Sequence, residues 1–203
     1  MILIKLCRLP DDYDKKVEIK AQSLPENRAK FLKRKRDRGE YALSVFSSAE
    51  IYDFAERYTG KKRSDTVIAY EKSGKPYFRD IPRLFFSISH SFPFYATAFS
   101  DAPAGIDIEK IRKLNPKIAE RMFSEKEKEY CVNDDLRFLE IWTKKEAYSK
   151  CSGKGIAEGF RTFDVFDPAI SEKMMFGKTD EAVFSMYTEK NIKKEKIEII
   201  FAL

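Results

Sequence analysis

Hydrophobic residues follow two spacings along the first half of the chain, one typical of strands and one typical of helices. The first eight residues indicate a strand, and the basic residues 25–36 begin at a proline that suits a helix start. Between residues 41 and 58, apolar side chains recur at three- and four-residue steps, which predicts a helix that ends near Gly60. Strand-like runs follow at residues 66–70, 84–89 and 94–99.

The same order of strand, helices and strands returns after residue 103. Residues 104–109 indicate a strand, and the next helix starts are Asn115-Pro116 and the capping box Ser124-Glu125-Lys126-Glu127. A third helix, capped by Asp134 or Asp135, is predicted to run to about Ser152, before Gly153-Lys154-Gly155. Strands return in the tail from Ile156 onward, at residues 182–187 and 197–201. The pattern predicts an α+β protein with two similar halves.

The net charge of the chain narrows the classes of molecule that it is expected to bind. The 203 residues include 39 basic and 33 acidic side chains, for a net charge of +6 at pH 7. A positive chain of this kind suits phosphate groups, nucleic acid or an acidic protein. The 17 Phe and 10 Tyr exclude an intrinsically disordered chain.

The apolar runs and the cysteines indicate a cytoplasmic protein. No run approaches the roughly 18 apolar residues that span a bilayer, and the opening Met1-Ile2-Leu3-Ile4-Lys5-Leu6 is too short for a signal-peptide core. Cys7, Cys131 and Cys151 are far apart and form no CxxC pair, which disfavours a disulfide framework or a zinc site. With His90 as the one histidine, no mechanism that needs two imidazoles applies.

The segment Gly105-Ile106-Asp107-Ile108-Glu109 is the first candidate for chemistry. On a strand, Asp107 and Glu109 point to one face while the isoleucines point into apolar packing. Two carboxylates on one face are suitable oxygen ligands for Mg²⁺, and the glycine permits close approach of another group. A half-buried strand with its acidic face in water has the same pattern.

The second candidate is the helix segment at residues 142–150, Trp142-Thr143-Lys144-Lys145-Glu146-Ala147-Tyr148-Ser149-Lys150. At about 100° per residue, Trp142, Lys145, Glu146 and Lys150 fall within an arc of roughly 140°. Glu146 could complete a metal site begun on the strand, and the two lysines could meet phosphate oxygens. A solvated helix face with Glu146 and Lys150 paired at i,i+4 is the plainer alternative.

The third candidate is Phe86-Ser87-Ile88-Ser89-His90-Ser91, a strand that ends in hydroxyl and imidazole groups. These groups could bind a phosphate at the loop that follows. A Ser-His nucleophile is disfavoured because neighbours on a strand point apart and no G-x-S-x-G elbow surrounds the serine. A lone histidine satisfied by the backbone is the alternative.

Taken together, these segments closely resemble the 4′-phosphopantetheinyl transferase superfamily. The family shows Ser-His-Ser, then G-[IV]-D-x-E, then F-S-x-x-E, then W-x-x-K-E-[AS]-x-x-K. The chain has all four in that order, at residues 89–91, 105–109, 123–127 and 142–150, and Gly74-Lys75-Pro76 matches the family's G-K-P turn. The resemblance is strong over residues 74–156 and loose in the N-terminal quarter. The length and paired halves are similar to the Sfp-type members, which are monomers.

The resemblance implies a fold of two pseudo-duplicated halves, each a small antiparallel-rich sheet packed with helices. Residues 1–102 would contact the 3′-phosphate and adenine of coenzyme A, and residues 103–203 would hold the metal, the diphosphate and the carrier protein. The implied reaction is Mg²⁺-dependent transfer of phosphopantetheine from coenzyme A to a serine of an acidic apo acyl- or peptidyl-carrier protein, with release of adenosine 3′,5′-bisphosphate. Neither nucleic acid nor membrane is an expected partner.

The resemblance also implies roles for individual residues. Asp107, Glu109 and Glu146 would hold Mg²⁺, and Glu146 would serve as the base instead or as well. The residues implied to contact coenzyme A are Arg38, Lys75, Ser89, His90, Lys145 and Lys150, with Lys150 also assisting the leaving group. Further phosphate contacts of Lys30 or Lys33 have no fixed register, because Lys33-Arg34-Lys35-Arg36 permits several alignments, and a solvated basic helix face is the alternative.

The residues are also compatible with two other functions. The basic segment at residues 28–38, with Phe31 and Tyr41 nearby, could bind RNA or single-stranded DNA, although no nucleic-acid fold signature accompanies it. Alternatively, Asp107 and Glu109 could form the site of a Mg²⁺-dependent phosphohydrolase that needs no acceptor protein.

Overall fold

The computed structural model describes residues 1–153 and 160–202. The predicted α+β class, with antiparallel-rich sheets packed by helices, is confirmed. The strands are β1 (Ile2–Arg8), β2 (Ile68–Tyr70), β3 (Pro76–Phe78), β4 (Phe85–Ser91), β5 (Phe94–Ser100), β6 (Ala104–Lys110), β7 (Met174–Lys178), β8 (Ala182–Thr188) and β9 (Ile197–Ala202). The helices are α1 (Tyr13–Gln22), α2 (Glu26–Leu32), α3 (Arg38–Thr59), α4 (Lys117–Met122), α5 (Glu125–Cys131), α6 (Asp135–Ser152) and α7 (Pro168–Ser171).

The strands form two main sheets and one small hairpin. The first sheet has the order β4-β5-β1-β9, the second has the order β6-β8-β7, and β2 pairs with β3. All pairs are antiparallel except β1 with β9. The predicted division at residue 103 stays a prediction, and β9, from the C-terminal side of that division, lies in the sheet built from residues of the N-terminal side.

A shared core lies between the two sheets. Alternate residues of β1, β6 and β8, such as Ile4, Ile106 and Met186, are fully buried in one hydrophobic cluster. Helix α3 covers the opposite side of the first sheet, and α6 packs on the second sheet through contacts with β6 and β8. The alternation of each central strand therefore directs one set of side chains into this core and the other set toward a helix.

Local signals account for the ends of the long helices. Asp37 caps the start of α3, and Gly60 ends it with a φ of 71°. Ser124 and Glu127 form the predicted capping box at the start of α5. Asp134 accepts hydrogen bonds from two backbone N–H groups at the start of α6, and Gly153 follows its end with a φ of 71°. The expected continuation at Lys154 and Gly155, and the start of the tail at Ile156, lie outside the described residues.

The three cysteines are free thiols buried in different hydrophobic clusters. Burial raises the pKa of Cys151 to about 11, so this group stays a thiol at neutral pH. Within residues 1–153 and 160–202, none of the helices is both long enough and apolar enough to traverse a bilayer.

Candidate active site between the two sheets

Helix α6 lies very close to strand β6 because Gly105 has no side chain. A Cβ atom on Gly105 would stand 2.0 Å from the carbonyl oxygen of Ala147 and 2.5 Å from the backbone nitrogen of Cys151. A second contact joins α6 to β8, where Thr143 Oγ1 and Ser185 Oγ are 2.8 Å apart and buried. This packing brings the side chains of the last turns of α6 beside the acidic face of β6.

The carboxylate of Asp107 is held tightly on the strand. Asp107 is 4% exposed, and its Oδ1 accepts hydrogen bonds from Ser89 Oγ at 2.6 Å and from Lys150 Nζ at 2.6 Å. Its other oxygen, Oδ2, is buried and has no hydrogen-bond partner among the described residues. A buried carboxylate oxygen without a partner is costly, so this atom is suited to bind a ligand that the protein alone does not provide.

Glu109 lies two residues further along the same face. Its Oε2 accepts a hydrogen bond of 2.9 Å from Ser91 Oγ and lies 3.8 Å from the Arg112 guanidinium. Burial and the charge of Asp107 raise the pKa of Glu109, while hydrogen bonds from Ser91 and Trp142 and the charge of Arg112 oppose that rise. The predicted pairing of both carboxylates on one face of β6 is therefore present in the structure.

Glu146, on α6, shares the electrostatic environment of these two carboxylates. Burial and the negative charges of Asp107 and Glu109 raise its pKa to about 7, while the Lys150 ammonium opposes the rise. Three partly desolvated carboxyl groups that repel one another bind either a proton or a cation. The arrangement can thus hold a positive ion or accept a proton near neutral pH.

The donor set is of the chemical type that binds divalent ions. The three carboxyl groups do not form a complete metal site in this structure. In the described parts of the chain, no three His, Cys, Asp or Glu side chains are close enough together to hold a metal. However, the unpartnered Oδ2 of Asp107 and the raised pKa values of Glu109 and Glu146 both indicate negative charge without enough compensation. Carboxylate oxygens are the ligands that Mg²⁺ prefers.

Lys150, on α6, contacts residues of both β4 and β6 in the site. Its ammonium group donates to Asp107 Oδ1 at 2.6 Å and to Ser89 Oγ at 2.8 Å, and its side chain is 29% exposed. The group therefore reaches solvent while it neutralises part of the acidic cluster. A cation in this position is available to an anionic ligand that arrives from the open side.

That open side is a cleft of about 390 Å³ between the first sheet and the C-terminal end of α6. Its walls are the turn at residues 73–76, the inner part of β4, and the C-terminal turns of α6 with Glu146 and Lys150. Lys75 lies in this wall, and its Nζ donates to the carbonyl oxygen of Cys151 at 2.5 Å, where it also balances the negative end of the helix. The cleft thus combines an apolar wall with two lysines and a carboxylate.

Lys145 is not brought into this site. It is fully buried, and its ammonium group donates to Phe160 O at 2.6 Å and Phe163 O at 2.8 Å and pairs with Glu127 Oε2 at 2.9 Å. Lys145 and Lys150 lie about 140° apart around the helix, so they face different neighbours although both belong to the predicted arc. The three N–H groups of Lys145 are used inside the protein, and we assign it no contact with coenzyme A.

Ser89 and His90 point in opposite directions from β4. Ser89 faces β6 and Asp107, whereas His90 faces α3, where its Nδ1 lies 3.8 Å from Glu40 Oε2. Burial lowers the pKa of His90, and Glu40 opposes this while Lys35 and Lys150 add to it. The structure does not gather Ser89 and His90 around one phosphate, although the charges of both Lys35 and Lys150 act on His90.

Arg38 lies in a second, more open pocket of about 350 Å³. The other residues that line it are Glu18, Lys33, Lys35, Arg36 and Tyr41. The Arg38 guanidinium donates to Asp14 Oδ1 at 2.9 Å and to Glu18 Oε1 at 2.7 Å, and these hydrogen bonds raise its pKa. The pocket is strongly positive and suits an anion, and a ligand that used Arg38 would compete with these two carboxylates.

Two residues belong to the predicted motifs but had no individual role in the sequence prediction. Ser91 donates a hydrogen bond to Glu109 in the site, and Glu127 pairs with the buried Lys145 outside it. Ser91 had a visible signal, since Ser87, Ser89 and Ser91 alternate on one strand and therefore share a face. Glu127 was visible only as the last residue of a capping box, and nothing in that motif indicates an ion pair with α6.

Comparisons with known proteins agree with this geometry. Residues 103–198 match the family described as the 4′-phosphopantetheinyl transferase superfamily. The chain is 41% identical over 102 residues to the 4′-phosphopantetheinyl transferase psf-1 of Bacillus pumilus, an alignment that covers 48% of this chain and 44% of the relative. It is 35% identical over 108 residues to the 4′-phosphopantetheinyl transferase Sfp of Bacillus subtilis, which covers 51% and 48% of the two chains.

A third similar protein comes from a genus other than Bacillus. The 4′-phosphopantetheinyl transferase gsp of Aneurinibacillus migulanus is 43% identical over 88 residues, 41% of this chain and 36% of the relative. Each of these three alignments thus spans about half or less of the curated relative. The resemblance inferred from the four motifs is confirmed.

Proposed function

We propose, from the place of residues 103–198 in the 4′-phosphopantetheinyl transferase superfamily, that this chain transfers the phosphopantetheine group of coenzyme A to a serine of an apo carrier protein. Adenosine 3′,5′-bisphosphate is the product that leaves. The proposal includes Mg²⁺ held by Asp107, Glu109 and Glu146, an acidic acyl- or peptidyl-carrier protein as acceptor, and a cytoplasmic monomer in which one chain supplies both sheets.

One observation carries this proposal. Two carboxylates of β6 and one of α6 share an electrostatic environment, and the cationic Lys150 lies among them at the edge of a cleft between the first sheet and α6. Phosphoryl transfer is catalysed mainly by positioning and by neutralisation of charge on the phosphate oxygens. A cluster that binds a divalent cation beside a lysine and an open cleft is suited to grip a diphosphate.

Coenzyme A is proposed to bind in this cleft. Lys75 is placed beside its adenine or ribose, and Lys150 beside its diphosphate. For the 3′-phosphate we retain His90, which lies next to Glu40 and within the field of Lys35, with Arg38 as a second contact on the same basic side. The resemblance implies a 3′-phosphate contact for Ser89 as well, but its hydrogen bond with Lys150 favours a place beside the diphosphate instead.

The chain's own groups account for the steps of the transfer. The serine oxygen of the carrier bonds to the phosphorus next to pantetheine, and the bond from that phosphorus to adenosine 3′,5′-bisphosphate breaks. The serine proton passes to Glu146, directly or through water. Lys150 balances negative charge on the leaving group. When bound, Mg²⁺ supplies further neutralisation of the diphosphate.

The acidic carrier protein is expected to approach the basic segment that follows the site. The exposed side chains Lys110, Arg112, Lys113 and Lys117 come directly after Glu109. Together with the net charge of +6, they favour long-range attraction to an acidic partner. The rate of carrier association should therefore fall as salt is added.

The test is a mass measurement on the acceptor. Incubation of the chain with coenzyme A, Mg²⁺ and a panel of apo carrier proteins should add the mass of one phosphopantetheine group to at least one carrier. The Asp107→Ala variant should lose this activity by a factor of about 100 or more, because an unpaired Lys150 and an incomplete metal site remain. Asp101→Ala, which removes an exposed carboxylate paired with Lys190, is the matched control and should retain activity.

Two results would contradict the proposal. If none of the apo carriers gains mass, the proposed transfer reaction is wrong. Release of phosphate or nucleotide from coenzyme A without any acceptor protein would indicate the phosphohydrolase instead.

A further inference from the structure

We propose that Ser91 and Ser89 of β4 are positioning residues that hold the carboxylates of Glu109 and Asp107 in the geometry that binds the metal. This inference rests on the proposed function and adds to it that the metal ligands on β6 are oriented by the other sheet. We name Ser87, Ser89 and Ser91 the serine ladder.

The serine ladder exists because β4 alternates at its inner face. Ser87, Ser89 and Ser91 point toward β6, while Phe86, Ile88 and His90 point to the other side of the sheet. Both β4 and β6 are edge strands of their sheets. Hydroxyl groups therefore meet an acidic strand along a seam where β6 has no backbone partner strand.

Each serine of the ladder uses its hydroxyl differently. Ser87 Oγ accepts a hydrogen bond of 3.1 Å from the backbone N–H of Ile106. Ser89 Oγ donates to Asp107 Oδ1 at 2.6 Å, and Ser91 Oγ donates to Glu109 Oε2 at 2.9 Å. Two members of the ladder thus contact proposed metal ligands, and Ser87 contacts the backbone.

The neighbours of each hydroxyl fix the direction of its proton. Ser91 Oγ accepts a hydrogen bond of 3.1 Å from the backbone N–H of Lys110, so its own O–H is left to donate to Glu109. Ser89 Oγ accepts from the Lys150 ammonium, which cannot accept in return, so its O–H is directed to Asp107. Both serines are therefore fixed as donors to carboxylate oxygens.

The consequence for Asp107 is visible in its two oxygens. Oδ1 is engaged by Ser89 and Lys150, while Oδ2 is buried without a partner among the described residues. A carboxylate anchored through one oxygen presents the other in a fixed direction. Groups that orient metal ligands in this way alter metal affinity by about 10- to 100-fold when they are removed.

Ser91 gives the cleaner test because Ser89 also contacts Lys150. Ser91→Ala removes the donor to Glu109, and Ser87→Ala removes a hydroxyl from the same face of the same strand without touching a carboxylate. The side chains introduced by Ser91→Thr and Ser91→Val have nearly the same size, and only threonine has a hydroxyl. If Ser91→Ala fails to fold, the comparison of these two variants replaces it.

The experiment is a titration of the full chain with Mn²⁺ alone, followed by the electron paramagnetic resonance of the free ion at pH 8. We expect Ser91→Ala and Ser91→Val to bind Mn²⁺ about 10- to 100-fold more weakly than the unmodified chain. Ser91→Thr and Ser87→Ala should bind it as the unmodified chain does. Thermal unfolding of each variant verifies that it is folded.

Three outcomes separate the possible failures. Equal losses in Ser91→Ala and Ser87→Ala would show that the seam as a whole matters and would overturn the positioning role. Unchanged affinity in Ser91→Ala and Ser91→Val, in a chain that still modifies its carrier, would overturn the positioning role and leave the proposed function intact. No Mn²⁺ binding together with no carrier modification by the unmodified chain would overturn the metal site itself and the function with it.

Discussion

Glu146 is the residue whose chemistry depends most on its neighbours. On an isolated helix it would be an ordinary surface carboxylate with an i,i+4 lysine. In the fold it is partly buried and faces Asp107 and Glu109, and its pKa rises to about 7. One side chain thus becomes able to exchange a proton near neutral pH because of its burial and of charges on another element.

This shift predicts a pH dependence of stability in the absence of metal. The pKa of Glu146 is about 7 in the folded chain against an ordinary 4.5, so the folded state binds more protons between these values. Its contribution to the free energy of unfolding is fully present below 4.5 and is lost as pH rises to about 7, with a slope of at most about 1.4 kcal/mol per pH unit. Glu146→Gln should remove that part of the slope.

Urea denaturation at several pH values, for both proteins with and without Mg²⁺, checks the pH dependence. Mg²⁺ should restore stability to the unmodified chain near pH 7 and have a much smaller effect on Glu146→Gln, because the ion binds the ionised carboxylate. Identical slopes for the two proteins would show that Glu146 keeps an ordinary pKa.

Strand alternation alone was enough to predict the shared face of Asp107 and Glu109. The separation of Lys145 from Lys150 could not be predicted in the same way. Lys145 is buried because Glu127 and the carbonyl groups of residues 160 and 163 surround it, and none of these partners belongs to α6 itself. A helical arc of about 140° shows which side chains are near one another and does not reveal what each one faces.

The contact between α6 and β6 decides whether the site exists at all. Gly105 lets the helix backbone approach the strand, and this approach brings Glu146 and Lys150 to Asp107. The glycine is required here by space, since its neighbours are backbone atoms of Ala147 and Cys151 that cannot rotate away.

Gly105→Ala should therefore destabilise the chain and damage the site together. A methyl group 2.0 Å from Ala147 O forces α6 away from β6, at a cost of about 1–3 kcal/mol or more in the free energy of unfolding. Gly39→Ala is the control, because its methyl group would meet the half-exposed ring of Phe92, a side chain that can move. Chemical denaturation and the carrier mass assay measure both effects. A Gly105→Ala variant with unchanged stability and activity would show that this contact is looser than the structure indicates.

Helix ends and most strands were predictable because their signals are local. The cap at Asp134, the capping box at Ser124 and the glycine after α3 all depend on a few adjacent residues. Helix α1 was missed because half of its residues are charged and only Val17 and Ala21 are buried. Strand β3 was missed because it has three residues and begins at a proline.

For the whole molecule, the contact region between the two sheets contains both the shared core, which stabilises the fold, and the serine ladder, which contacts the site. The core between the sheets, the serine ladder and the pairing of β9 with β1 all cross from one half of the sequence to the other. The four motifs indicated which residues take part in the site. They did not indicate the order β4-β5-β1-β9, because pairing of the last strand with the first depends on the packing of the complete chain.

The central claim is that Asp107, Glu109 and Glu146 converge on one divalent ion beside a bound diphosphate. Crystals grown with Mn²⁺ and coenzyme A, measured at the manganese absorption edge, test it most directly. The account predicts one strong anomalous peak within coordination distance of all three carboxylates and of the coenzyme's diphosphate. A coenzyme bound elsewhere, or a peak that leaves Glu146 uncoordinated and far from the ion, would contradict it.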